Sequence, residues 1–240
     1  MVTEFGEVES LIVSFPAAGA GSTTFQWLES CAARRGAVYV GMLNADSVDA
    51  LVSRDWYEGT LDEIQQVVDR TCPEHVVLVG HSMGGLSALC LSGDLGSRLA
   101  RPIGTLLINT PCPDAEGRIP TMSECSDSEI GEILANDGFP EDLISDKEML
   151  SEVSSSLRSD AIVADFLAMS VSAINSIGNL HVLATRDDRF IGTTRCAMWR
   201  DWASHEFHLI VEHGGHMLNG TPFATLERTV GSVIASVRGA

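Results

Sequence analysis

The sequence predicts an α/β fold with a mostly parallel central sheet and helices on both faces, on three observations. Short apolar, β-branched runs alternate with helical segments along most of the chain. The runs are apolar along their length, as buried strands are. One of them, at 75–79, turns directly into a helical segment through Gly80-His81-Ser82-Met83-Gly84-Gly85. A chain of 240 residues with 45% hydrophobic content suits one such domain over 1–240, with an insertion.

Each element follows in order. Leu11-Ile12-Val13-Ser14-Phe15 is a strand stopped at Pro16. After a small-residue loop, Ser22 or Thr23 caps a helix through Phe25, Trp27, Leu28 and Cys31 that ends at Gly36. Residues 37–42 form the next strand. Leu61, Ile64, Val67 and Val68 recur at helical spacing, which predicts an amphipathic helix over 60–70. The strand at 75–79 and its helix follow, then a strand at 105–109 closed by Pro111 and Pro113. From about 126 to 176 strand-like runs vanish. Helical segments at 126–136, 140–150 and 160–174 predict a helical lid, an insertion bounded at 112–176. The sheet resumes at 180–184. A helix at 193–203, a strand at 206–211 and a terminal helix at 221–237 complete it.

The turn at 80–84 reads G-x-S-x-G between strand and helix, the nucleophile elbow of an α/β-hydrolase. A turn that sharp leaves no room for side chains at Gly80 and Gly84. It pushes the Ser82 hydroxyl out at the carboxyl edge of the sheet, with the N–H groups of a helix start behind it. The fold then requires an acid and a histidine downstream, in that order. Asp187 and Asp188 both follow a late strand, and His213 and His216 both follow the last one; the Gly214-Gly215 pair before His216 favours His216. In this scheme His216 takes the Ser82 proton and the aspartate orients the imidazole. The oxyanion donors are the N–H of Met83 and one from the loop Pro16-Ala17-Ala18-Gly19. The position of His81 beside Ser82 points its ring away, into a packing or hydrogen-bonding role.

Composition excludes several classes. With 15 Lys+Arg against 33 Asp+Glu, the net charge of −18 argues against binding nucleic acid or an anionic membrane. No apolar run is long enough to span a bilayer, and the acidic N-terminus lacks a basic leader, so a cytoplasmic protein is expected. Cys31, Cys72, Cys90, Cys112, Cys125 and Cys196 are scattered and read as free thiols. No metal site is expected; His205 and His208 read as strand-flanking or strand residues.

Taken together, Phe15 to Ser22 with Phe25 and Trp27, the elbow at 80–85, Ser156-Leu157-Arg158-Ser159-Asp160, the acid loop 184–191, a tryptophan at 199 or 202, and His213-Gly214-Gly215-His216 resemble the type II thioesterases of nonribosomal peptide and polyketide synthesis. The resemblance spans roughly 11–220. It implies Ser82, Asp188 and His216 as the triad and Ala18 and Met83 as oxyanion donors. The implied activity is that of a standalone enzyme hydrolysing acyl groups from the phosphopantetheine arm of acyl or peptidyl carrier proteins, with acyl-CoA as a related substrate. Editing or release during antibiotic biosynthesis is the implied role. No cofactor is implied, since the substrate carries the phosphopantetheine. The chain departs from the family pattern at Ala17, where a histidine is usual, at Ala20, at Arg189, where a proline is usual, at Ala184-Thr185, and over Met42 to Ser47. Arg189 is a candidate contact for a phosphate or carboxylate. Ala17, Phe166, Leu167 and Met169 are expected to line the acyl site. Other readings on the same fold are a carboxylesterase or lactonase, an acyltransferase or cyclase using thioesters, and a hydrolase-fold binding protein with negligible turnover.

Overall fold

The structure is a computed structural model describing residues 8–113, 122–174 and 177–238. Six strands form one sheet in the order β2-β1-β3-β4-β5-β6. They are β1 (Ser10–Phe15), β2 (Val38–Gly41), β3 (His75–His81), β4 (Ile103–Ile108), β5 (Leu180–Thr185) and β6 (Phe207–Glu212). All five pairings are parallel.

The apolar runs follow from this topology. In a sheet covered on both faces, successive side chains of one strand enter opposite cores. Leu11, Val13 and Phe15 join Val76 and Leu78 beneath helices α3 (Asp55–Thr71) and α4 (Met83–Leu99). Ile12, Val77 and Val79 pack on the other side with Leu28 of α1 (Gln26–Arg34) and Val230 and Val233 of α9 (Phe223–Arg238).

The predicted elements appear, with differences of extent. The helix expected over 60–70 begins at Asp55, preceded by a five-residue helix α2 (Val48–Val52) that the periodicity does not reveal. The helix expected to be capped by Ser22 or Thr23 begins instead at Gln26, after a 3-10 turn at Ser22–Phe25 and without a side-chain cap. The segment at 193–203 divides into α8 (Thr193–Ala197) and a 3-10 turn, Met198–Trp202.

The lid carries the largest difference. Its first helix is α5 (Asp127–Asn136), opened by a Ser126–Glu129 capping box. The two helices expected at 140–150 and 160–174 are a short α6 (Glu141–Ser145) and one 26-residue helix, α7 (Lys147–Ser172). Asp146 caps α7, accepting from the N–H groups of Glu148 and Met149. No Gly or Pro lies between 147 and 172 to end it. Parts of the predicted insertion, 114–121 and 175–176, lie outside the described residues, as does the acidic N-terminal segment 1–7. Among the described residues, no helix is long and apolar enough to cross a membrane. None of the six cysteines is in a disulfide.

Candidate active site

The site stands at the carboxyl edge of β1, β3, β5 and β6. Ser82 links β3 to α4 with φ 52° and ψ −119°, a left-handed backbone rare for a residue with a side chain. Its N–H donates to the Ile108 carbonyl at 2.8 Å and its carbonyl accepts from the Gly85 N–H at 3.0 Å, so neighbouring chain holds the strained turn. The flanking glycines answer to space. A Cβ at Gly84 would run into the backbone of Phe15 and Pro16, and one at Gly80 into the backbone of Gly84 and Gly85. The nucleophile turn therefore touches the loop after β1, where Ala18 sits. The Ala18 N–H makes no hydrogen bond among the described residues. Met83 is the first residue of α4, whose N–H has no partner within the helix.

Of the two candidate pairs, the structure brings Asp188 and His216 together. Nδ1 of His216 donates to Oδ2 of Asp188 at 2.8 Å, with the imidazole 13% and the carboxylate 1% exposed. A carboxylate only accepts, so the proton is on Nδ1 and Nε2 is left as the basic nitrogen. Burial alone would raise the Asp188 carboxyl. The hydrogen bond and charge of His216, with the N–H groups of Ile191 and Phe190, outweigh it and hold Asp188 below the usual carboxylate range. Asp187 instead ties the two loops together: its carboxylate accepts from Gly214 N–H at 3.0 Å and its own N–H donates to the Gly214 carbonyl at 3.1 Å. His213 and Asp187 are both exposed, 3.9 Å apart.

Beneath the imidazole lies a buried network that sequence reasoning largely missed. Asn109, at the end of β4, is fully buried with φ 43°. Its amide donates to Thr185 Oγ1 at 2.9 Å and to the His216 carbonyl at 2.8 Å, while its Oδ1 accepts from the Thr185 N–H. Thr185 Oγ1 reaches the Gly215 carbonyl at 3.0 Å. Nε2 of His81 donates to the His216 carbonyl at 2.7 Å, the hydrogen-bonding role its position predicts. Burial, with His216 adding to it, pushes the His81 imidazole down to about 3, so it is a neutral donor. The one available signal for Asn109 was its type: asparagine just past a strand tolerates a left-handed backbone.

The lid covers this edge and encloses a cavity of about 240 Å³ beside Ser82 and His216. Ala17 and Ala18 form one wall, Met122, Ile133, Leu134, Phe139 and Leu157 of the lid another, and Phe190 and Met217 the rest of its apolar lining. Of the residues expected to line the acyl site, Ala17 lies on this cavity, and Phe166, Leu167 and Met169 do not. Phe166 and Met169 are exposed on the outer side of α7, and Leu167 is buried in the core between α7 and α4. One continuous α7 explains this: only the residues on its sheet-facing stripe near its middle, such as Leu157, overhang the nucleophile. Asp160 accepts from the Gly19 N–H at 2.6 Å and so fastens α7 to the loop holding Ala18. Arg189 lies at the cavity, exposed, donating to Asn136 Oδ1 at 3.1 Å. Asn44, in the segment that departs from the family pattern, links the Pro16 carbonyl to Ser87 of α4. Among the described residues, no group of three His, Cys, Asp or Glu side chains is placed to hold a metal ion.

A serine at a strained turn, a histidine paired with a buried aspartate lining the same cavity, and the N–H groups of Ala18 and Met83 form an arrangement suited to acyl transfer. A family model described as a thioesterase domain matches residues 11–236. No curated protein matches the chain. Among solved structures, the RedJ thioesterase of the prodiginine biosynthetic pathway in Streptomyces coelicolor matches with a TM-score of 0.69 at 19% identity, over 95% of this chain and 91% of that one. The type II thioesterase BorB of the borrelidin biosynthetic cluster matches with 0.71 at 17% identity, over 94% and 93%. YbtT, a type II thioesterase of the yersiniabactin NRPS/PKS pathway, matches with 0.68 at 19% identity, over 98% and 94%. At such identities the structural likeness is one of fold.

Proposed function

This chain belongs to the thioesterase domain family, and from that premise we propose that it is a type II thioesterase, removing acyl groups from the phosphopantetheine arm of carrier proteins in nonribosomal peptide or polyketide synthesis. The observation that carries the reading is that His216, bonded to the buried Asp188, lines the same apolar-walled cavity as Ser82. The pathway neighbours of similar fold support the kind of partner.

The chemistry runs in two halves. Ser82 Oγ attacks the thioester carbonyl while Nε2 of His216 takes its proton; the N–H groups of Met83 and Ala18 meet the oxyanion. The C–S bond breaks and the pantetheine sulfur leaves as the thiol with the proton from His216. Water then attacks the Ser82 ester, giving its proton to His216, and the C–O bond to Ser82 breaks as His216 passes that proton to Ser82 Oγ, releasing the acid. A thiolate leaves readily, so the demand on His216 as an acid is smaller than in a protease. At about 240 Å³ the cavity is below the roughly 300–1,000 Å³ of drug-sized ligand sites and fits a short acyl group.

The test follows intact mass. A carrier protein loaded with short acyl-phosphopantetheine is mixed with this protein or its Ser82→Ala variant. Loss of the acyl mass that depends on Ser82 is expected. No loss above background across several acyl lengths, with folded protein, would overturn the reading.

A further inference from the structure

The backbone of His216 is gripped from two sides. From below, its carbonyl accepts from His81 and Asn109 of the sheet core. From above, its N–H donates at 2.6 Å to Oδ1 of Asp137, the residue that ends lid helix α5. The contact is too close for a side chain between them: a Cβ at Gly215 would stand 2.8 Å from that same oxygen. The carbonyl of Asp137 accepts in turn from Asn219 at 2.9 Å. One residue earlier, Asn136 accepts from Arg189, next to Asp188. Two adjacent lid residues therefore touch both loops that carry the acid and the base.

We infer that Asp137 is a positioning residue: by holding the His216 N–H it sets the imidazole against Ser82, so the triad is complete only when the end of α5 is seated on the histidine loop. The inference rests on the triad reading above. A carboxylate accepting a backbone N–H makes one of the stronger hydrogen bonds available to a loop. Acyl transfer is sensitive to such placement, since a displacement of about 1 Å at a reacting group can cost about a hundredfold. Near the site the lid helices pack on one another through a small apolar cluster around Ile130, Leu134 and Leu157, which meets the loop after β1 at Ala18. Seating of the lid and alignment of the base are then one event, and a substrate that holds the lid down also completes the site.

The experiment reads labelling of Ser82 by a fluorophosphonate, followed by intact mass. The probe needs an activated serine but no thioester and no carrier. Asp137→Ala is expected to lower the rate of the covalent step at least tenfold while leaving the half-saturating probe concentration within twofold. Asp137→Asn keeps an acceptor oxygen in the same place and is expected to stay within threefold of wild type. Asn219→Ala, which removes the bond to the Asp137 carbonyl but leaves Asp137 Oδ1 on the His216 N–H, is expected to do the same. If Asp137→Ala does not fold, Asp137→Ser, which is too short to reach, takes its place. Wild-type labelling rates in Asp137→Ala would overturn the inference, as would losses in Asp137→Asn or Asn219→Ala as large as in Asp137→Ala. No Ser82-dependent labelling of the wild type would bring down the triad and this inference together. Labelling as expected without deacylation of carrier thioesters would remove the thioesterase reading and leave the role of Asp137 standing.

Discussion

At the carboxyl edge of the sheet the groups that matter are sunk in the core and bonded to one another; in the lid they are not. Asn109, Thr185, His81 and Asp188 are all buried, and their hydrogen bonds converge on the loop of His216. The lid is anchored at one end, where Val163, Leu167 and Val171 of α7 are buried against α4; over the cavity it is held by part-exposed contacts, with Arg158–Asp127 and a small apolar cluster joining its own helices and the Gly19–Asp160 bond tying it to the loop after β1. Buried, mutually bonded groups have few alternative arrangements and define geometry to a fraction of an ångström, whereas exposed ion pairs contribute about 0–1 kcal/mol and permit movement. The difference separates labour: the sheet edge holds the Asp188–His216 pair, and the lid walls the cavity and grips the His216 N–H through Asp137.

The sharpest way to break that division is at Asp188. Asp188→Asn keeps the volume but removes the charge that orients and stabilises the imidazole. It is expected to lower kcat by about 10³–10⁴ with KM little changed. Steady-state hydrolysis of an acyl thioester checks this, and a loss below tenfold would mean that the buried pair is not what drives the reaction.

A middle-sized effect contrasts the two sides of α7. Leu157 is 7% exposed and overhangs the cavity, while Phe166 is 39% exposed on the outer side. Leu157→Ala is expected to cost about 2–3 kcal/mol of stability and to shift preference toward longer acyl groups. Phe166→Ala is expected to change stability by less than about 0.5 kcal/mol and leave the acyl profile unaltered. Denaturant melts and a panel of acyl lengths distinguish these. A changed profile in Phe166→Ala would return the outer face of α7 to the substrate.

The smallest effect tests the core in acid. Burial lowers the folded-state His81 to about 3, and burial with the neighbouring His208 lowers His181 to about 4. Unfolded, each takes a proton near pH 6.5. Between those values the unfolded chain binds more protons, so stability rises with pH and falls on acidification below about 6.5. Each such histidine contributes a slope of up to about 1.4 kcal/mol per pH unit. Thermal melts between pH 7 and about 5 are expected to show the fall, and His81→Gln, which keeps a donor for the His216 carbonyl, should flatten it. An unchanged slope in that variant would place the acid sensitivity outside the triad floor.

Much of the site was legible because its chemistry imposes local rules. Ser82 is marked by glycines that the turn demands, and Asp188 and His216 by their order after late strands. Other residues left no such mark. Asp187 and Asp188 are chemically identical neighbours, and only the path of the loop decides which one meets the imidazole. Asn109, Thr185 and Asp137 come from β4, β5 and the lid, and what joins them is a single peptide group at His216. Phe166, Leu167 and Met169 looked like an acyl lining because apolar residues of a lid serve either core or cavity, and helical spacing alone does not say which.

By itself, the sequence determined the layers, the parallel sheet and the nucleophile turn, since period, strand length and the space around a backbone act between near neighbours. The tertiary structure alone decided that the middle of α7, not its far end, overlooks Ser82. It also decided that the histidine loop is held at once from the sheet and from the lid. Those outcomes depend on where distant segments meet, and a hydrogen bond between residues 79 positions apart, as from His216 to Asp137, is set by packing rather than by any local preference.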